Sequence, residues 1–178
     1  HVRAGLIKAS SGLRDANENE LKVFAAAIHA HRRTGAPIGT HTEKGTWALE
    51  QVRIFVDSAV NLHRVLIGHL DLKPDLRYLL EVASTGVRLS FDQFGKSKYL
   101  SDASRVDLIV KLCEAGHARQ LLLGGDMARR SYFKSYGGQP GLMHIPTTIR
   151  AMLEDALPLE TVQDLLVHNA RRWLEFGR

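Results

Sequence analysis

The sequence predicts an α/β fold in which parallel strands alternate with helices. Five short apolar runs are separated by longer segments whose apolar residues recur at helical spacing. One strand and its helix take roughly 30 residues, the length of a βαβ unit. Polar side chains with acid–base or metal-binding chemistry lie at or just past the C-terminal end of four of the five apolar runs, and functional groups gather at these strand ends in parallel sheets.

The five predicted strands are short and mostly apolar, as are strands that are covered on both faces. A parallel sheet of this size stands alone as a doubly wound fold or forms part of a barrel, and a complete eight-stranded barrel needs roughly 250 residues. The chain has 178 residues, too few for a complete barrel. The predicted strands are Ala4–Ala9, Pro37–His41, Arg64–His69, Gly86–Phe91 and Gln120–Gly125.

A helix is predicted after each of the first four strands, and two more helical segments follow the last strand. Pro158 marks the break between the last two, because proline is favoured at the first position of a helix. No linker or low-complexity tract divides the chain, so residues 1–178 are expected to form one domain or part of one. The predicted helices are Glu18–Thr34, Gly45–Ala59, Pro74–Ser84, Asp102–Ala115, Pro146–Leu157 and Leu159–His168.

Composition and charge distribution indicate which classes of binding partner and cellular setting to expect. The net charge is +5, but basic and acidic residues are interleaved along the chain, so nucleic-acid binding is not expected. No apolar run approaches the roughly 20 residues that cross a bilayer, so no membrane insertion is expected either. The single cysteine, Cys113, excludes an internal disulfide. With no secretory pattern near His1, we expect a cytoplasmic protein.

Four polar residues form the candidate site. Lys8, His41, His69 and Asp126 each lie at or just past the C-terminal end of a different predicted strand, and these ends open on one face of a parallel sheet. Imidazole and carboxylate suit zinc and related divalent ions, which lower the pKa of bound water. Asp126 is expected to bind metal and act as general base. Taken singly, each residue has a structural explanation, Asp126 as a helix N-cap for example; together they favour a metal site.

Several segments resemble the phosphotriesterase family of the amidohydrolase superfamily, and the phosphotriesterase-related branch with its resiniferatoxin-binding-type proteins most of all. The resemblance extends over essentially the whole chain. It implies a (β/α)8 TIM barrel to which this chain contributes strands 4 to 8. The segments are Val2–Lys8, Gly39–Thr42, Arg64–Asp71, Phe91–Gly95, Leu121–Asp126, Ile145–Pro146, Leu157–Pro158 and Val167–Arg171.

The resemblance also implies a site chemistry. Lys8 would carry a carbamate formed from CO2 that bridges two divalent ions, with zinc the expected metal. His41 and His69 would bind the more exposed ion, and Asp126 would bind the buried one and accept a proton from a metal-activated hydroxide. The substrate would be a small-molecule ester, lactone, amide or phosphoester, with Arg129 and Gln93 as candidate substrate-binding residues. A homodimer is compatible with the sequence.

The sequence departs from the family pattern at two points. The family has a His-x-His pair on its first strand, whereas the only pair with this spacing here, His29 and His31, lies in a predicted helix. Gln93 occupies the position at which organophosphate-degrading members have a proton-relay histidine, and glutamine does not relay protons at neutral pH.

Two other functions fit the same residues. Lys8 could form a Schiff base in a metal-free, aldolase-like barrel, with Arg129 and the glycines before Asp126 holding a substrate phosphate. Alternatively, the protein is a binding module that has lost catalysis, as the missing His-x-His pair suggests. Metal analysis and hydrolysis assays separate these alternatives from a metal-dependent hydrolase.

Overall fold

The computed structural model describes residues 4–175, so the first two residues of the Val2–Lys8 segment lie outside it. Five parallel strands form one sheet in sequential order. In a doubly wound sheet the strand order reverses at a switch point, whereas here each connection leads to the next strand in the same direction. Right-handed crossovers then place the helices on one face, as in a barrel wall. The strands are β1 Ile7–Ser11, β2 Ile38–Thr42, β3 Val65–Ile67, β4 Arg88–Phe91 and β5 Leu121–Leu123.

The helices follow the strands as predicted, with some shifted ends. Single π-helical turns, Ile145–Ile149 and Asp164–His168, precede α5 and α7. The helices are α1 Glu18–Thr34, α2 Ala48–Asp57, α3 Leu76–Ser84, α4 Asp102–Glu114, α5 Arg150–Glu154, α6 Leu159–Gln163 and α7 Asn169–Leu174.

The first helix has the bounds that the sequence predicts because both of its ends are encoded locally. The side chain of Asn17 accepts a hydrogen bond from the Glu20 amide at 3.1 Å, and the Glu20 carboxylate accepts one from the Asn17 amide at 2.8 Å. This capping box satisfies amides that have no partner within the helix. Gly35 ends the helix in the left-handed conformation, with φ of 70°.

The predicted bounds of the first strand, Ala4–Ala9, were wrong by three residues at its start and two at its end. The apolar run ends near Lys8, but the hydrogen-bonded ladder continues until Ser10 and Ser11 lie opposite His41 and Thr42. Lys8 is therefore the second residue of β1 and does not lie at its C-terminal end, as the sequence had suggested. Pairing with the neighbouring strand sets the end of a strand, and this pairing is not visible in local hydrophobicity.

Two helix predictions also needed correction. Helix α2 begins at Ala48 and not at Gly45, because Gly45 and Trp47 both have positive φ angles, of 71° and 61°, which interrupt helical geometry. The last helical segment does not stop at His168 but continues as α7. Arg64 and Trp173 join α7 to the start of β3: the Arg64 guanidinium donates to the Trp173 carbonyl at 3.0 Å, and the Trp173 indole donates to the Arg64 carbonyl at 3.1 Å.

The hydrophobic core fills the space between the sheet and the helices. Phe24 of α1 packs edge-on against Phe55 of α2, with ring centroids 5.7 Å apart, and Ile38, Ile67 and Leu89 extend the core across the middle strands. Aromatic pairs of this geometry are favourable beyond the area they bury. Over residues 4–175, no helix is both long and apolar enough to span a bilayer.

Candidate metal centre

Two histidines meet at the C-terminal edge of the sheet. His41 lies in β2, and His69 follows β3 with a positive φ of 63°. Their ring centroids are 4.5 Å apart and the ring planes are inclined by 77°. Gly68 allows this approach, since a β-carbon at that position would lie 2.4 Å from the carbonyl oxygen of Thr40. The two histidines that the sequence indicates are thus neighbours in space.

The His69 ring is fixed by a buried carboxylate. Its Nδ1 lies 2.6 Å from Asp92 Oδ1, and its backbone amide donates to Asp92 Oδ2 at 3.1 Å. Burial acts to lower the pKa of His69, but the hydrogen bond and charge of Asp92 outweigh it, so the pKa is raised. Burial acts to raise the pKa of Asp92, and the interaction with His69 reverses this, so that pKa is lowered. With Nδ1–H donating to Asp92, Nε2 of His69 is available as a ligand atom.

Gln93 lies at the centre of the site. Its side-chain amide nitrogen is 3.0 Å from Asp92 Oδ1 and 3.2 Å from Asp126 Oδ2, so its two hydrogens can serve two carboxylates. The same nitrogen lies 3.0 Å from Nδ1 of His69. The buried Gln93 side chain therefore connects the histidine side of the site to Asp126 without carrying a charge.

Asp126 is paired with a lysine that the sequence analysis did not single out. Lys96 Nζ donates to Asp126 Oδ2 at 2.7 Å, to the Asp126 carbonyl at 2.8 Å and to Gln93 Oε1 at 3.0 Å. The lysine side chain is only 3% exposed, whereas that of Asp126 is 39% exposed. The Asp126 carboxylate is thus held by the buried Lys96 ammonium and remains partly exposed to solvent.

Lys8 is close enough to the acidic residues for their charges to influence it. Its Nζ donates to the carbonyl of Thr40, the residue before His41, at 3.1 Å. Desolvation lowers the pKa of Lys8, although the charges of Asp92 and Asp126 act to raise it. A lowered pKa increases the neutral amine fraction, the form that reacts with CO2 or with a carbonyl carbon.

The donor chemistry of these residues fits a divalent ion. Two imidazoles lie side by side, and the exposed contact between His41 Nε2 and Glu43 Oε2, at 3.3 Å, costs little to break. Within the described chain, no three His, Cys, Asp or Glu side chains are grouped as a metal site. An ammonium group has no lone pair for a metal ion, so a third ligand from Lys8 would require its conversion to a carbamate.

The predicted residues are thus placed unequally. His41, His69, Gln93 and Asp126 come together at one edge of the sheet, and Lys8 lies near them, three residues before the end of β1. Arg129 lies exposed on the loop after β5, outside this hydrogen-bonded group as far as residues 4–175 define it.

Asp92 and Lys96 were not assigned a role from the sequence. Asp92 directly follows a predicted strand, so the rule that identified His69 and Asp126 could have found it. Lys96 lies five residues beyond the end of β4, and only the folded loop returns it to Asp126.

Comparisons with known proteins agree on one family. A model of the phosphotriesterase family matches residues 1–174. The phosphotriesterase homology protein of Escherichia coli is 38% identical over 137 residues, covering 77% of this chain and 47% of that protein. The phospho-furanose lactonase of Mycoplasmopsis synoviae is 32% identical over 184 residues, covering 98% of this chain and 52% of the lactonase.

The fold is shared with solved structures of the same kind. The crystal structure of a lactonase from Listeria monocytogenes superposes with a TM-score of 0.92 at 36% identity, covering 99% of this chain and 55% of the lactonase. This chain spans about half the length of the curated relatives it matches. Its five-stranded sheet corresponds to part of the TIM barrel of these proteins.

Proposed function

Because the chain belongs to the phosphotriesterase family, we propose that the protein is a metal-dependent hydrolase that cleaves an ester, lactone, amide or phosphoester bond of a small molecule. The observation that carries this proposal is the convergence of His41, His69 and Asp126 at the C-terminal edge of a barrel-type sheet, with Lys8 of β1 close enough for the charge of Asp126 to influence it. Active sites of such barrels lie at this edge.

His41, His69 and a carbamate on Lys8 would hold one divalent ion, for which zinc is our choice, and Asp126 would contribute to a second. When bound, such an ion polarises a carbonyl or phosphoryl oxygen and lowers the pKa of nearby water. Burial lowers the pKa of Lys8, which supports the carbamate, since only the neutral amine adds to CO2. Asp92 supports the His69 assignment by leaving Nε2 free.

Asp126 would accept the proton of the attacking water at its Oδ1. Its Oδ2 is occupied by Lys96 and Gln93, so Oδ1 is the oxygen left for proton transfer. The Lys96 ammonium fixes the orientation of the Asp126 carboxylate through Oδ2. In this scheme Gln93 orients Asp126 and does not itself move a proton.

We propose a lactone or ester that carries an anionic group as the first substrate class to test. Arg129 and Arg130 lie three and four residues after Asp126, on the exposed loop after β5. Positive charge beside the proposed base favours a substrate with negative charge. The name of the Mycoplasmopsis synoviae relative, a phospho-furanose lactonase, pairs a phospho group with a lactone.

The test combines metal analysis with hydrolysis of ester, lactone, amide and phosphotriester substrates, each lactone with and without a phosphate group. Asp126→Asn should lower kcat roughly 10²–10⁴-fold at unchanged fold, because a general base contributes that much. Asp107→Asn, which alters an exposed aspartate paired with Lys111, is the matched control. Near-normal rates for Asp126→Asn would contradict the assignment of the base. Bound metal without turnover of any class would favour a binding protein, and borohydride trapping on Lys8 without metal would favour a Schiff-base enzyme.

A further inference from the structure

A buried ion pair lies behind the candidate metal centre. Arg105 of α4 and Asp71, in the loop after β3, are both fully buried, and Arg105 Nε donates to Asp71 Oδ2 at 2.7 Å. Burying two charges costs several kcal/mol per ion, and well-packed apolar residues are often as stable. Stability alone therefore gives a weak reason for this pair, and its contacts suggest another.

Asp71 holds the backbone that carries two residues of the site. Its Oδ1 accepts a hydrogen bond from the Asp92 amide at 3.2 Å, and its Oδ2 accepts one from the Gln93 amide at 3.0 Å. Both oxygens are thus used to fix the turn that leaves β4. The side chains on this turn are those that contact His69, with Asp92 fixing its ring and Gln93 lying beside its Nδ1.

Arg105 also connects this turn to the neighbouring loops. Its NH1 donates to the Leu100 carbonyl and, at 3.2 Å, to Asp102 Oδ1. Asp102 in turn accepts from the Gly95 amide at 2.9 Å and lies 2.7 Å from Nε2 of His144, at the end of the loop that follows β5. A single guanidinium therefore joins the loops after β3, β4 and β5.

We propose that Arg105 is a positioning residue for the candidate metal centre: acting through Asp71, it fixes the backbone of Asp92 and Gln93 and thereby the orientation of the His69 ring. The expected effect on metal affinity rests on the proposed function. The expected effect on the His69 ring does not, because the hydrogen bond between His69 and Asp92 exists in the protein without metal. If the role of Arg105 were purely structural, replacing it would lower the stability of the fold and leave the hydrogen bond between His69 and Asp92 unchanged.

The experiment compares Arg105→Met with Ile109→Ala in the full-length protein. Ile109 lies one turn further along α4 and is fully buried, so its truncation destabilises the same helix without touching the ion pair. The first measurement, on metal-free protein, is the downfield proton resonance of His69 Nδ1–H, assigned by its absence in His69→Gln. The second is zinc affinity by competition with a chelator.

We expect Arg105→Met to lose the resonance and to bind zinc roughly 10- to 100-fold more weakly, as is typical when support for a ligand is removed. Ile109→Ala should retain both properties at a similar loss of Tm. Arg105→Lys keeps a cation opposite Asp71 and should regain part of the zinc affinity. If Arg105→Met does not fold, Asp71→Asn replaces it. The asparagine side chain has an NH2 group in place of one carboxylate oxygen, so it cannot serve the backbone amides of Asp92 and Gln93 as Asp71 does, and the variant should show the same losses.

The inference is overturned if Arg105→Met, or Asp71→Asn in its place, keeps the resonance and binds zinc within about twofold of Ile109→Ala. If the wild-type protein binds no divalent metal, the proposed function fails, and the resonance alone then decides whether Arg105 positions His69. The two failures are therefore distinguishable.

Discussion

Gly68→Ala tests whether the close approach of β2 and β3 holds the two histidines together. A β-carbon at Gly68 would lie 2.4 Å from the carbonyl oxygen of Thr40, and real β-carbons essentially never approach closer than 3.0 Å. The protein interior is too densely packed to absorb this overlap by side-chain movement, since the atom in the way belongs to the backbone. The strands must separate by about half an ångström or more.

Overpacking of this kind costs about 1–3 kcal/mol. With a urea m-value of about 2 kcal/mol per molar, the midpoint of unfolding should fall by about 0.5–1.5 M. Gly12→Ala is the matched control, because its β-carbon would come no closer than 3.4 Å to any atom, the limit of an ordinary contact. We expect the control to change stability by less than about 0.5 kcal/mol.

The same displacement should reach the site, because Thr40 precedes His41 and Gly68 precedes His69 in the chain. Zinc affinity, measured by chelator competition, is expected to fall about tenfold or more in Gly68→Ala and to stay unchanged in Gly12→Ala. Equal unfolding midpoints for the two variants would refute the reasoning, since β2 and β3 would then have room at this point.

Three more predictions concern the site itself. Asp92→Asn should weaken zinc binding about 10- to 100-fold, measured by chelator competition, because Asp92 uses both carboxylate oxygens to hold His69 and a neutral amide offers only one acceptor oxygen; unchanged affinity would count against the pair. The raised pKa of His69 gives stability that is complete below its ordinary value of 6.5 and is lost as pH rises through the raised pKa. The lowered pKa of Asp92 gives stability that is present above 3.8 and is lost as pH falls. Urea unfolding of metal-free protein should therefore show the largest difference between wild type and Asp92→Asn between these two values, and a difference that is flat with pH would contradict the coupling. Lys8→Ala should lose bound metal, measured by elemental analysis, and short carboxylates such as propionate should restore part of it; full metal retention would exclude a carbamate ligand.

Much of the fold could be predicted because the relevant signals are local. Apolar runs and helical periodicity identified every strand and the main helices, and the predicted ends of α1 were correct because a capping box and Gly35 encode them locally. The errors occurred where partners distant in sequence set the limits. Strand β1 extends to Ser11 because it pairs with Thr42, and α2 begins late because Trp47 takes a left-handed conformation in a turn packed against other loops.

The candidate site divides in the same way. One rule, polar residues at the ends of parallel strands, identified His41, His69 and Asp126, and it could have included Asp92. The rule could not find Lys96, whose link to Asp126 depends on how the loop after β4 folds back. Nor could it assign Gln93 its central position between two carboxylates.

The sequence by itself determined the succession of strands and helices, the edge at which the polar residues gather and the family that they resemble. Those features follow from residue type and from the local spacing of apolar residues, both of which can be read from the sequence without knowing the contacts. The tertiary structure alone decided that His69 is held by Asp92 and that Arg105 and Asp71 support both residues from behind. These contacts join residues 21 to 34 positions apart, and only the closing of the sheet and its loops brings them within hydrogen-bonding distance.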